Sequence, residues 1–222
     1  MVSVSHVVEN IVKHKPYLSE ALAAGIINVS SLARQLQADV EKALNKEVNT
    51  GAIIMSLNRL APYLQVREQV QLNKLLNNIG DIILRSNLCD YTFKNSSSLM
   101  NCHIEVLKEL VNNDEVFYTM VQGVFETNLV ISNAMAPVIE DRFKDEICLF
   151  KQTDLSSVTL KLPKGNSMQA GFYYTIMKEL SWEGINIIEV ISSTNEFTVV
   201  VENSIIDKTF VVLKNIGKRV TN

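Results

Sequence analysis

Residues 1–80 carry apolar positions at helical spacing. Val4, Val7, Val8, Ile11 and Val12 recur three to four residues apart, and Pro16 stops the run. A short helix over 19–24 is expected to end at Gly25, where a left-handed residue closes many helices. Ser30 is placed to cap a helix with the stripe Val29, Leu32, Ala33, Leu36, Val40 and Leu44. Asn49 or Thr50 caps another, with Ile53, Ile54, Leu57, Leu60, Ala61 and Leu64 inward and Pro62 near its end. Leu72, Leu75, Leu76 and Ile79 then mark a connecting helix up to Gly80.

Beyond residue 80 the period changes. Cys89, Tyr91 and Phe93 alternate as a half-buried strand does. Leu99, Ile104, Leu107 and Val111 give one helix face, 116–122 and 125–132 a hairpin around Gly123, Met135, Val138, Ile139 and Phe143 a second helix, and 147–150 a short strand. The same order returns. Val158, Leu160 and Leu162 alternate; Met168, Tyr173, Ile176 and Leu180 form a helix face; 185–192 and 197–202 form a hairpin; Ile206, Phe210 and Leu213 mark a last helix. At an offset of 69, Cys89, Tyr91 and Phe93 fall on Val158, Leu160 and Leu162, and the offset becomes 70 in the hairpin turn, where ETNLVISN (126–133) overlays EFTVVVEN (196–203). An inserted residue is tolerated in a turn, whereas inside a strand it would exchange the faces. The pattern predicts an α+β chain: a helical domain over 1–65, a connecting helix over 66–80, and tandem βαββα repeats over 81–151 and 156–222, the second without a clear final strand.

Composition narrows the classes. With 47% hydrophobic and 20% charged residues, the 222-residue chain can bury a sizeable core and is not of disordered composition. The net charge of −3 disfavours nucleic-acid binding by bulk charge. No apolar run reaches the roughly 18 residues of a membrane span, and MVSVSHVVENIVKHK lacks the layout of a secretory signal, so a cytoplasmic location is expected. Cys89, Cys102 and Cys148 are widely spaced and odd in number, as buried small hydrophobes are and a disulfide framework or zinc knuckle is not.

Candidate chemistry is sparse. His6, His14 and His103 lie outside any HExxH or carboxylate-paired spacing, and Cys102 and His103, neighbours on a helix, point about 100° apart and cannot pair as nucleophile and base. Neither an enzyme, a metal site nor a cofactor is expected. KGNSMQAG (164–171) follows a strand and opens a helix, where anion-binding loops occur, but it lacks the endings of a P-loop or a dinucleotide fingerprint. It is either a strand–helix turn with Asn166 or Ser167 as cap, or a holder for a small carboxylate such as that of an amino acid.

The second repeat resembles the ACT domain, and within it the regulatory half of aspartate kinases. The resemblance covers roughly 156–215 and rests on the strand SSVTLKLP, the loop KGNSM and the run GINIIEVISSTNEFTVVVE (184–202), in which Gly184 ends the helix and Asn186 starts the strand. The first repeat has NNDEVFY in place of GINI, and Asn95, Ser96 and Ser97 in place of the glycine loop. The resemblance implies ferredoxin-like ACT modules that pair with one another and bind an amino acid or similar ligand between them. The implied contacts are Lys164, Gly165, Asn166, Ser167 and Met168, with Asn186 and Ile187. Kinase ACT loops commonly carry an acidic residue or a GxxG spacing that could meet a ligand ammonium, where this chain offers Lys164, and the chain resembles the regulatory part alone.

Residues 28–64 resemble a helix-turn-helix. Asn49, Thr50, Ser56 and Arg59 would then face the major groove. Over 1–65, six positive residues (Lys13, Lys15, Arg34, Lys42, Lys46, Arg59) against five negative (Glu9, Glu20, Asp39, Glu41, Glu47) give little counterion-release affinity. Two functions are expected from different classes. One is a ligand-sensing, homodimeric regulator that binds an amino acid through its ACT pair and acts on DNA through its head. The other is a regulatory or scaffold subunit that binds an amino-acid biosynthetic enzyme through that head. A basic patch on the Thr50 helix would favour the first, and an exposed apolar patch the second.

Overall fold

The computed structural model describes residues 3–111, 113, 115–164 and 171–216, with the backbone alone over 65–75. The chain divides into two compact units, Met1–Lys74 and Leu75–Asn222.

The first unit is helical. Helix α1 (Val4–Lys13) is capped by Ser3, whose side chain accepts from the His6 amide at 3.2 Å. Pro16 opens α2 (Pro16–Ala23), where its missing N–H is no loss. The cap of α3 (Val29–Leu44) is Asn28 and not Ser30: its side chain accepts from the Ser31 amide at 2.9 Å. The two helices expected on either side of residue 65 are one, α4 (Thr50–Asn77), which passes through Pro62. Pro62 is exposed, so the missing hydrogen bond lies on the solvent side, where the helix can bend. Val8, Val12, Leu36, Val40, Ile53 and Leu57, from the stripes that periodicity marks, form the core with Leu22 of α2.

The second unit runs β1 (Ile82–Lys94), α5 (Leu99–Leu110), β2 (Tyr118–Gln122), β3 (Glu126–Ser132), α6 (Ala136–Arg142), then β4 (Cys148–Lys161), α7 (Phe172–Trp182), β5 (Glu189–Ser192), β6 (Glu196–Glu202) and α8 (Ile206–Lys214). Short 3-10 turns, Asn133–Met135 and Asn203–Ile205, introduce α6 and α8. The order strand, helix, two strands, helix therefore occurs twice. The strands form one six-stranded antiparallel sheet ordered β2-β3-β1-β4-β6-β5, not a separate sheet for each half.

The two long central strands join the halves. β4 fuses the expected short strand at 147–150 with the strand that opens the second half. Its Leu155–Lys161 stretch pairs with β6, while Cys148–Gln152 lies beside β1. β1 mirrors this: Leu88–Lys94 pairs with β3, while Ile82–Arg85 lies beside β4 and supplies the neighbour that the second half lacks. Asn87 and Asp154 mark the two joints, each at φ 57°, a left-handed conformation that Asn and Asp tolerate.

Pairing corrects the repeat register. Lys94 faces Glu126 and Lys161 faces Glu196, so the long strands correspond at an offset of 67 and the hairpins at 70. The expected 69 differs by two, which keeps every side chain on its face, so alternation alone cannot separate the two registers. The length difference arises between the long strand and the hairpin and not in the hairpin turn: the segment between strand and helix runs 95–98 in the first half and 162–171 in the second, six residues longer, and the helix with the connection after it is three residues shorter in the second.

One helix face is also corrected. Leu99 and Val106 of α5 are buried, with Cys102 and Leu110 packed beside them, whereas the expected Ile104, Leu107 and Val111 are exposed. Cys89, Tyr91, Phe93, Leu129 and Ile131 meet α5 and α6 on one face of the sheet. On the other face Leu88, Val130, Leu155 and Val200 form a second core, against which Phe117, Ile188 and Ile191 pack from the two edges, so the sheet curls over that face.

Candidate functional site

The expected ligand contacts lie on either side of α7, at 164–168 before it and 186–187 after it. Lys164 is exposed; Gly165, Asn166, Ser167 and Met168 lie outside the described residues. Helix α7 is capped by Gly171 at φ 88°, beyond Asn166 and Ser167, and this residue has no side chain with which to satisfy the first-turn amides. At the other end Gly184, at φ 67°, turns the chain: the Ile185 amide donates to Leu180 O and the Gly184 amide to Ser181 O, each at 3.0 Å. Asn186 is exposed and Ile187 half-buried in the connection that follows, and β5 begins at Glu189, so Asn186 precedes the strand rather than starting it. The Tyr173 hydroxyl meets Ser192 Oγ at 3.0 Å, and the Leu162 amide donates to Asn195 O at 2.7 Å, so the base of α7 is tied to the β5–β6 turn.

The matching loop of the first half is shorter and already holds a carboxylate. Ser96 and Ser98 each donate to Glu146, to Oε2 and Oε1, at 2.6 Å, and the Leu99 amide donates to Ser96 Oγ at 3.1 Å. The hydroxyls of Ser96 and then Ser98 hold the Glu146 carboxyl below its ordinary pKa. Ser97 is exposed, and Asn95 bonds Gly123 O at 2.9 Å and Thr127 Oγ1 at 2.6 Å. At the hairpin offset of 70, the counterpart of Glu146 is Ile216, which is 1% exposed. Glu146 has no sequence signal as a loop partner: it lies 48 residues from Ser98 and meets it only through the fold.

The residues that could do acid–base or metal chemistry are scattered. Cys102 faces Glu146, which with burial raises its thiol pKa, while His103 Nδ1 meets the Tyr118 hydroxyl and burial lowers the imidazole's pKa. His14 Nδ1 meets Asn10 O at 2.7 Å. Among the described residues no group of three or more His, Cys, Asp or Glu is placed to hold a metal ion, and no helix is long and apolar enough to cross a membrane.

In the head, three of the four expected groove-facing residues bond within the chain, and of these Asn49 is exposed, Thr50 half-buried and Ser56 buried. Asn49 Oδ1 accepts from the Gly51 amide at 2.7 Å, Thr50 Oγ1 meets Gln37 Oε1 at 3.4 Å, and Ser56 is buried, donating to Ala52 O at 2.8 Å. Arg59 is exposed but donates to Ser5 Oγ at 2.6 Å. Met55 and Tyr63 stand outward on the same helix face, 75% and 70% exposed.

The fold of the second unit is ACT-like. It is similar to the Clostridium acetobutylicum aspartate kinase (TM-score 0.52, 18% identity), with 62% of this chain covering 34% of that one. It is similar as well to the regulatory subunit of aspartate kinase from Thermus thermophilus (TM-score 0.51, 10% identity), with 62% of this chain covering 97% of that subunit. The Synechocystis aspartate kinase gives a TM-score of 0.51 at 10% identity, over 63% of this chain and 27% of that one. The chain thus spans about a third or less of the two whole kinases. At these identities the likeness is one of fold. No family model matches the chain. No curated protein matches it either.

Proposed function

We propose that this chain is a non-catalytic regulatory protein that senses a small amino acid through tandem ACT-type repeats. The ligand carboxylate is held by the loop at Lys164–Met168 before α7, and Asn186 and Ile187 orient the remainder. The observation that carries this reading is the seating of Glu146 in the matching loop of the first half. A strand–helix turn of this fold takes a carboxylate; the first half fills it from its own chain, and the second has more residues between strand and helix, a glycine cap and an apolar residue where Glu146 would lie. The first repeat is accordingly the weaker binder or none. Calorimetry and thermal shift with the twenty amino acids test it: one should raise the midpoint, Gly165→Val should abolish the effect, and Ser97→Val should leave it. If no amino acid binds, or if Gly165→Val leaves affinity unchanged, the likeness to regulatory domains is one of fold alone.

The working form is a cytoplasmic homodimer. Met100, Ile104, Leu107 and Val111 make an exposed apolar stripe on α5 at 4-3-4 spacing, and the neighbouring charges are already paired, Lys108 with Glu105 at 2.6 Å and Arg142 with Glu109 at 3.0 Å. Ile104→Glu should shift sedimentation from dimer to monomer. For the head, the outward Met55 and Tyr63 and the buried Ser56 favour docking on a protein, such as an amino-acid biosynthetic enzyme, over DNA. Salt-dependent binding of duplex DNA that is lost in Arg59→Ala would reverse that preference.

A further inference from the structure

The sheet face that curls inward carries a charged group that its apolar bed does not call for. Asp90 lies on β1 opposite Val130 of β3 and Gln152 of β4, and is 2% exposed. Asn128 of β3 donates from one amide nitrogen to two carboxylates, Asp90 Oδ1 at 2.7 Å and Glu189 Oε1 at 3.0 Å. Glu189 opens β5, the far edge of the sheet, three strands from β1. One side chain of the first half therefore bridges a central strand and the edge strand of the second half across the curl.

The charges that act on Glu189 are of one sign, and Lys94, the cation on the Asp90 face of β1, lies opposite Glu126. Glu189 feels Asp90 and Glu126, both acidic. Gln152, opposite Asp90, is neutral. The nearby cations are engaged elsewhere: Lys151 with Glu140 at 2.6 Å and over the Tyr91 ring, and Arg85 with Glu115 O at 3.1 Å and over the Phe117 ring. A neutral amide supplies two hydrogens to two carboxylates and cancels neither charge. A proton held on one of the two carboxyls removes one charge and leaves that group's other oxygen to accept from Asn128, so both bonds are kept, as in neighbouring carboxylates that do not both ionise.

The repeat of the fold supplies a control. At the offsets set by pairing, Asp90 corresponds to Ser157, Asn128 to Thr198, and Glu189 to Thr119, three hydroxyls. The frame is thus built once without acids, and the acids are not a requirement of its geometry. We propose that Asp90, Asn128 and Glu189 form a one-proton latch, in which one of the two carboxyls bridged by Asn128 keeps its proton, that holds the edge strand β5 of the second half to the β3–β1 pair of the first and loosens when that proton leaves.

The direction of the effect follows from the environment. Burial raises the pKa of both carboxyls, and for Glu189 the charge of Asp90 adds to it. Groups whose folded pKa is raised contribute stability that is complete below their ordinary range and is lost as pH rises through the folded values. The test uses the full chain. Carboxyl-carbon NMR should find Asp90 and Glu189 titrating together, with one proton kept above the ordinary carboxylate range. Unfolding from pH 4 to 8 should show a loss of stability with rising pH that is absent from Asp90→Asn and Glu189→Gln. Exchange of the Ile188 amide, which donates to Val200 O at 2.8 Å, should lose about tenfold more protection across that range, after correction for base catalysis, in wild type than in Asp90→Asn. Asp90→Ser, which copies the counterpart, guards against a variant that fails to fold. Ordinary, independent midpoints, or equal pH slopes in wild type and variants, would overturn the latch and leave a static hydrogen-bond network.

Discussion

The two halves of the second unit share an element order and differ where side chains do chemistry. Their apolar frame is matched position for position: Leu88 and Leu155 correspond, as do Val130 and Val200, and all four meet in the core of the curled face. The polar positions are exchanged. The first half has a short strand–helix loop closed on Glu146, and its Asp90 and Asn128 reach Glu189 of the second half; the second has ten residues between strand and helix, 162–171, Ile216 in place of Glu146, and hydroxyls in place of Asp90 and Asn128. A fold of this kind constrains volume and face strictly and leaves the chemistry of each half free to diverge.

The sharpest way to break the equivalence is through the shared frame. Leu88 and Leu155 face each other across the β1–β4 junction, 1% and 0% exposed. Leu88→Ala and Leu155→Ala should each destabilise the chain by about 2–5 kcal/mol in urea unfolding, as buried leucine truncations do. Because the two residues are in one cluster, the double variant should lose measurably less or more than the sum. A loss under about 1 kcal/mol at one site and full loss at the other would show that the halves do not carry equal shares of the core.

A smaller effect separates the loops. Glu146→Gln should destabilise the first half by about 1 kcal/mol at neutral pH, since charge-assisted hydrogen bonds contribute somewhat more than this when buried and less near solvent. The folded pKa of Glu146 lies below 4.5, so this stabilisation is present above that value and is lost as pH falls through the lower, folded one. The gap between wild type and variant should therefore close in acid, the opposite direction to the latch. A gap that widens in acid would mean that Ser96 and Ser98 do not favour the ionised form.

Much of the frame is legible in the sequence and much of the chemistry is not. The α1 and α3 stripes and the strands at 126–132 and 196–202 follow from period alone, because each has one apolar solution. Helix α5 has two: Leu99, Cys102, Val106 and Leu110 are spaced as well for burial as Met100, Ile104, Leu107 and Val111, and only packing against β1 and β3 chooses. The offset of 67 against 69 is hidden for a related reason, since a slip of two residues preserves the face. Glu146, Asp90 and Glu189 are invisible to pattern because each acquires its partners across 38 to 61 residues of chain. Of the expected contacts in the second loop, Lys164 is exposed on its near side, and Asn186 and Ile187 lie in the connection after Gly184.

The smallest expected change sharpens the comparison of the curled face. Ser157, the counterpart of Asp90, is 0% exposed, and its hydroxyl has no partner among the described residues. Thr198, the counterpart of Asn128, bonds Thr159 Oγ1 at 2.8 Å and does not reach it. A buried hydroxyl without a partner carries its desolvation penalty with no compensating bond, so removing it relieves that penalty and leaves only a small void. Ser157→Ala should raise stability by about 0.5–1 kcal/mol, equally at pH 5 and pH 8, whereas Asp90→Ala should change stability by an amount that depends on pH. Urea unfolding at the two pH values measures both. A loss of more than about 1 kcal/mol in Ser157→Ala would mean that the hydroxyl has a partner after all, and the second half would then hold a polar clasp of its own in place of the bare frame described here.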